Sequence, residues 1–260
     1  MADKVVLRKS RNVISSILHV LLNILLGVGS IAITVISGSW IIGLVLVLIS
    51  KWRIFAVRPR FWFTNIKSSL VDLIVGASFV FITYCSGTEW LLVHIILALG
   101  YCIWLIAIKP LSSDIATEVQ ATFAMFIGST TSSLLFASSN PILMTICCFI
   151  IGFSCARHIL VQTDDNDFGL IILSCGLVSA EIAWLCNSWL IVYTFGTTGI
   201  AVPQISIILT AFTFLVGRMI TSARAHDGRI SFSEIFAPAI FSVLVVLVIV
   251  IWFSKPIFDV

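Results

Sequence analysis

Residues 51–67 read KWRIFAVRPRFWFTNIK. Five of the chain's fifteen lysines and arginines stand here (Lys51, Arg53, Arg58, Arg60 and Lys67), interleaved with five aromatic residues. The run before it, residues 13–50, holds no Lys, Arg, Asp or Glu. As one helix that run would measure about 57 Å at 1.5 Å per residue, nearly twice a bilayer core. It must fold back. The small polar triplet Ser37-Gly38-Ser39 marks the turn, with a break at Gly27–Ser30 as the alternative. Helix one then lies near 12–36 and helix two near 40–56, the second reaching the membrane boundary by snorkelling Lys51 and Arg53.

The rest of the chain has the same character. Of 260 residues 60% are hydrophobic and 10% charged, against roughly 25% charged in a soluble domain. A fold in water could not cover that much apolar surface, so lipid is the solvent. Helix-sized apolar runs without alternating ten-residue strands exclude a transmembrane barrel. The fold class is all-α, a polytopic transmembrane helical bundle, with residues 1–260 as one integral membrane domain. The basic N-terminus precedes an apolar run longer than a signal peptide's, with no A-x-A site after it, and reads as an uncleaved first helix.

Charges and turn residues place further helices near 69–85, 90–108, 118–137, 142–160, 168–186, 203–221 and 235–253. Residues 187–202, NSWLIVYTFGTTGIAV, are too short for a crossing with two turns. They read as an interfacial or re-entrant segment, because broken backbone at membrane depth needs protein or water around it. That makes nine helices, with eight or ten if 13–50 or 187–202 is divided otherwise. With a cytoplasmic N-terminus, fourteen of the fifteen basic residues fall on the inner side and Lys255 outside, a strong positive-inside bias. Residues 51–67 become the second inner loop. Its Lys51, Arg53, Arg58, Arg60 and Lys67 form a basic anchor facing anionic lipid, worth about 1 kcal/mol per surface cation.

The segments KWRIFAVRPRFWFTNI (51–66), VDLIVGASFV (71–80), GFSCARHIL (152–160) and GLVSAEIAWL (176–185) resemble, in that order, a family of uncharacterised multi-pass membrane proteins from candidate-phylum bacteria of the Saccharibacteria type. The resemblance covers most of the chain. It implies a bacterial inner-membrane location and carries no catalytic residue.

An ionisable group inside a membrane helix costs roughly 2.5–3.5 kcal/mol on insertion scales and is a candidate site by default. Glu181 stands deepest, on a face shared with Ser174, Leu177, Val178, Trp184 and Ser188. Their mixture places it against another helix, as a proton or cation site or as a hydrogen-bonded structural carboxyl. Asp72, near the start of helix three, reads as an interfacial partner of Lys67 or a helix-end charge. His19 and His94 read as satisfied interhelical histidines. Arg157 and His158 close helix six, with Asp164, Asp165 and Asp167 as partners for the arginine. Ser129 and Ser132 belong to the run GSTTSS on helix five, which serves close packing or lines a polar path. Asp114, Glu118 and Gln120 before it form a polar mouth.

Several classes are disfavoured. The seven cysteines include no Cys-x-x-Cys pair, and no His spacing suits a metal. No lysine lies mid-membrane for a Schiff base, and no zincin, serine-hydrolase or P-loop motif occurs. No metal, cofactor or nucleic acid is expected, and an enzyme ranks last because no nucleophile accompanies the carboxylates. The leading expectation is a small-solute transporter or permease, proton-coupled through a buried carboxylate, supported by Glu181, the hydroxyl-rich helix five and the broken segment. The alternative is a non-catalytic scaffold or sensor subunit that docks a partner or anionic lipid. No feature sets a protein partner or oligomeric state.

Overall fold

A computed structural model of the protein describes residues 2–52, 56, 58–160, 168–189, 191–194, 201–226 and 228–252, with side chains from Ser15 onward apart from Phe168 and Trp252. Among the described residues are nine α-helices: α1 Ala2–Ser37, α2 Trp40–Ser50, α3 Trp62–Cys85, α4 Leu91–Ile103, α5 Asp114–Phe136, α6 Pro141–Leu160, α7 Phe168–Asn187, α8 Gln204–Ala225 and α9 Phe232–Trp252. A five-residue π-turn, Trp104–Ile108, continues α4. Two short strands, β1 Val192–Thr194 and β2 Ala201–Pro203, pair antiparallel between α7 and α8.

Eight of these helices are long and apolar enough to cross a membrane. The ninth, α2, has 11 residues, about 16 Å and half a bilayer core. The turn between α1 and α2 stands at Gly38, whose φ of 60° suits glycine and few other residues. Ser39 then caps α2 by accepting from the Ile41 N–H. α1 continues unbroken through Gly27 and Ser30. Gly27 instead brings α1 onto α4, where an added Cβ would lie 2.6 Å from Cys102 Sγ.

Several helix ends differ from the sequence expectation, α1 beginning at Ala2 instead of near 12 and α8 running to Ala225 instead of near 221, and three of the differences have a local reason. α2 stops at Ser50 instead of near 56, because Lys51 closes it and turns its side chain inward. α3 begins at Trp62 instead of near 69. Pro59, free of an N–H to satisfy, starts a 3-10 turn that leads straight into it. α5 begins at Asp114 instead of near 118, because Ser113 accepts from the Ala116 N–H and Asp114 lies in the first turn, at the positive end of the dipole.

α5 is the central helix, packed on α3, α6 and α8, while α6 and α7 form the closest pair. Small residues allow that approach. A Cβ on Gly152 would strike Ser179, and one on Gly176 would lie 3.1 Å from Phe149. The buried core holds Val75, Phe79, Tyr101, Trp104, Met125, Cys148 and Ile205. Leucines and isoleucines of α1, α4 and α9 cover much of the outer surface. In water such a surface would be one contiguous apolar patch; in lipid it is the contact surface. The protein is an integral membrane protein.

Candidate functional site

Asp72 lies well inside α3, and its carboxylate gathers groups from three other segments. Lys51, the residue closing α2, donates to Oδ2. Lys109, in the α4–α5 connection, places Nζ 2.6 Å from the same oxygen. Trp104 donates from Nε1 to Oδ1 at 3.1 Å. The π-turn sets the last two. It is closed by the Lys109 N–H bonding to the Trp104 carbonyl at 2.8 Å, which keeps indole and ammonium on one side. Such turns recur at functional sites. Lys51 and Asp72 are nearly buried and Lys109 is partly exposed.

Two ammonium groups on one carboxylate leave one surplus positive charge in a poorly solvated place. Burial first, and the Lys109 ammonium second, push Lys51 down to about 7; burial also lowers Lys109. The cluster therefore gives up its surplus proton far more readily than a free lysine would.

A layer of four aromatic rings adjoins the cluster. Trp104 stacks on Phe123 with centroids 5.3 Å apart, Phe123 lies 6.4 Å from Phe79, and Phe79 stacks on Tyr101 at 5.1 Å. The Tyr101 hydroxyl is buried with no hydrogen-bond partner among the described residues. It points at Gly76, where a Cβ would come within 2.7 Å of it. Beyond the rings lies a cavity of about 420 Å³ between α3, α4 and α5, bordered by β2.

A second set of charges ties α5 to α8 and α6. Glu118 is 4% exposed, lies across Gly217, and has Oε2 3.5 Å from Arg218 Nη1. Asp114 pairs with Arg224 at 3.7 Å, and Arg224 also donates to the Ile159 carbonyl. Gln120 donates to the carbonyls of Ile108 and Leu111 at 2.7 and 3.0 Å. Its amide oxygen must then accept from His158 Nε2, 2.8 Å away. The expected polar mouth is thus resolved into a Glu118–Arg218 pair and a Gln120–His158 pair. Together with the Asp72 cluster they mark one end of the bundle, the basic end.

Asp72 does not meet Lys67. The two stand five residues apart on one helix, about 140° around it, and Lys67 lies over the Phe63 ring at 4.0 Å instead. Lys51 leaves the basic anchor for the cluster. Arg58 and Arg60 are exposed, Arg60 lying 4.5 Å over the Phe61 ring, and Arg53 lies outside the described residues. Ser129 and Ser132 are buried in α5, where their hydroxyls donate to the carbonyls of Met125 and Gly128. Arg157 has a buried Nη1 without a partner among the described residues; Asp164, Asp165 and Asp167 lie outside them.

Glu181 is the main departure. The face of α7 that packs on α6 carries Gly176, Ser179, Ala183 and Cys186. Glu181 follows Ser179 by two residues, about 200° around the helix. It therefore faces outward, exposed on a shallow depression that it shares with Leu177 and Trp184 of α7 and Thr145 of α6. Lys109 and Trp104 escape a reading of the sequence, where Lys109-Pro110 signals only a helix stop. The spacing of tryptophan and lysine five apart would point to one site only if the π-turn were known.

Comparison with family models, with curated proteins and with solved structures finds no match for this chain.

Proposed function

We propose that the protein is a transporter for a small solute, with proton movement coupled through the Asp72 cluster. The observation that carries this reading is Asp72 itself: one carboxylate holding two ammonium groups inside an integral membrane protein. Such a group is costly, and intramembrane ionisable residues mark ion and proton paths by default. Losing one proton from the trio brings its net charge from +1 to zero, and Lys51 is poised for that loss near neutral pH. Asp72 bonds it, and Lys109 and Trp104 bond the same carboxylate. The coupling carboxylate in this reading is Asp72 rather than Glu181.

The aromatic layer supports the same reading. It separates a cavity toward the far end from the charged cluster at the basic end. A carrier needs such a barrier, closed to one side while the other is open. The positive-inside bias supports a cytoplasmic basic end, and the resemblance carried by residues 51–66, 71–80, 152–160 and 176–185 supports a bacterial inner membrane. The test is reconstitution in vesicles with an imposed pH gradient. Solute-dependent proton flux, lost in Asp72→Asn, is the expected result; flux unchanged by that substitution overturns the reading. Reporter fusions in the connections after α2 and α4 check the sidedness.

A second reading is favoured by the basic end's surface. Arg58, Arg60, Phe61, Trp62 and Phe63 are all exposed there. Cations beside aromatic rings suit an anionic headgroup layer, as a scaffold or sensor subunit would use. Binding to anionic but not zwitterionic vesicles, lost when both arginines are replaced by glutamine, with no flux in the transport assay, would favour it.

A further inference from the structure

The cavity beyond the aromatic layer is lined mostly by apolar side chains and closed by rings at one end. At about 420 Å³ it falls within the range of small-molecule sites, roughly 300–1,000 Å³. Its floor is Phe79, Phe123 and Gly100, the glycine leaving the space above the Phe79 ring open. From that floor to Ser86 is about two helical turns, or roughly 10 Å. Val202 of β2 borders the upper part, and Ile96, exposed on α4, lies on the side toward lipid.

The polar groups within it are already engaged. The Thr130 hydroxyl donates to the Phe126 carbonyl. Ser86 donates to the Thr83 carbonyl and lies 3.2 Å from His94 Nε2. A buried water needs about two to four polar partners, and among the described residues these walls offer little beyond the spare acceptor positions of those two hydroxyls. Ser86, backed by His94, is the polar part of the wall at the end away from the floor.

We propose that this cavity holds one aliphatic chain of an amphiphile, chain end on the Phe79–Phe123 floor and polar head beside Ser86 and His94. The proposal rests on the transport reading and names its substrate class: a lipid-like molecule with a single chain to insert. The chain has two sources with the same chemistry, a free fatty acid or one acyl chain of a phospholipid. A side open to lipid near Ile96 admits either.

The experiment is photolabelling of the full chain in nanodiscs with two probes, a fatty acid and a phospholipid, each carrying a diazirine near its chain end. Saturable labelling of α4 and α5 near Gly100 and Phe123, competed by unlabelled fatty acid and not by glycerol, is the expected result. The probe that labels identifies the source. Gly100→Leu fills the floor and should weaken labelling about tenfold. Should that variant not fold, the competition in the unchanged protein decides alone. Labelling spread over the lipid-facing helices, α9 included, and insensitive to competitor overturns the proposal. Asp72→Asn should keep the labelling while stopping proton flux. Specific labelling without flux therefore sinks the transport reading alone, and flux without specific labelling sinks the chain site alone.

Discussion

Lys109 and Lys51 share one oxygen of Asp72, Lys109 approaching it to 2.6 Å. Removing the acid leaves two buried or half-buried cations with no counter-charge. Breaking a fully enclosed pair costs about 3–5 kcal/mol, and partial exposure of Lys109 reduces this. Asp72→Asn is expected to destabilise the protein by about 2–3 kcal/mol. Adding Lys51→Met should recover most of the loss, leaving Lys109 to reach solvent. Unfolding of the two variants in mixed micelles with rising denaturing detergent measures both.

The same cluster sets a pH dependence. Lys51 is held down to about 7 in the fold, against about 10.4 for a free lysine. Between those values the unfolded chain binds more protons than the folded one. Stability therefore rises with pH across that window from this group, and below it the group contributes no slope. Lys51→Met should flatten the rise. The check is the unfolding midpoint of both proteins in steps from neutral pH to about 10.

Gly217 is placed by Glu118. A Cβ there would lie 2.8 Å from Glu118 Cγ and 3.2 Å from its carboxyl carbon, and Glu118 cannot retreat without leaving Arg218. Gly217→Ala is expected to cost about 1–3 kcal/mol by overpacking. Gly29→Ala is the control, since a Cβ there meets no atom within 4 Å. It should be neutral or gain a few tenths up to about 1 kcal/mol from helix propensity. Thermal unfolding in detergent of the two variants, side by side, separates lost space from lost flexibility.

Glu181 and Asp72 make opposed predictions. Glu181→Gln alters a group on the outward face of α7 and should leave pH-driven flux in vesicles within about twofold of the unchanged protein. Asp72→Asn should abolish it. A loss with Glu181→Gln and none with Asp72→Asn would return the coupling role to helix seven.

Trp104 connects ring layer and cluster, stacking on Phe123 while donating to Asp72. Trp104→Phe keeps a ring and removes the donor. A hydrogen bond to a charged group is worth about 1.5–3 kcal/mol, so the variant is expected to lose stability in that range. It should also move the pH midpoint of flux, which a purely packing role would leave in place. Trp104→Leu, losing ring and donor together, should cost more.

The chain's covalent order was enough to establish a helical membrane bundle. Residues 13–50 carry no charge to sit outside lipid and are too long to cross once, so they must turn, and Ser37-Gly38-Ser39 offers the backbone freedom to do so. The buried acid that matters was not legible in the same way. Asp72 looked like a neighbour of Lys67 because the two are close along the chain, but helix phase sets them on different sides. Its partners Lys51 and Lys109 come from separate connections, and only the packing of α2, α3 and α4 makes them meet. Glu181 looked internal because the face it shares with Ser174, Leu177, Val178, Trp184 and Ser188 mixes polar and apolar residues. Which side of α7 faces α6 is decided by where glycine and serine let two backbones approach. Hydrocarbon acts on every residue of a segment alike, so its demands are written in composition. The pairing of a charge depends on directions in space, and those exist only once the helices are packed.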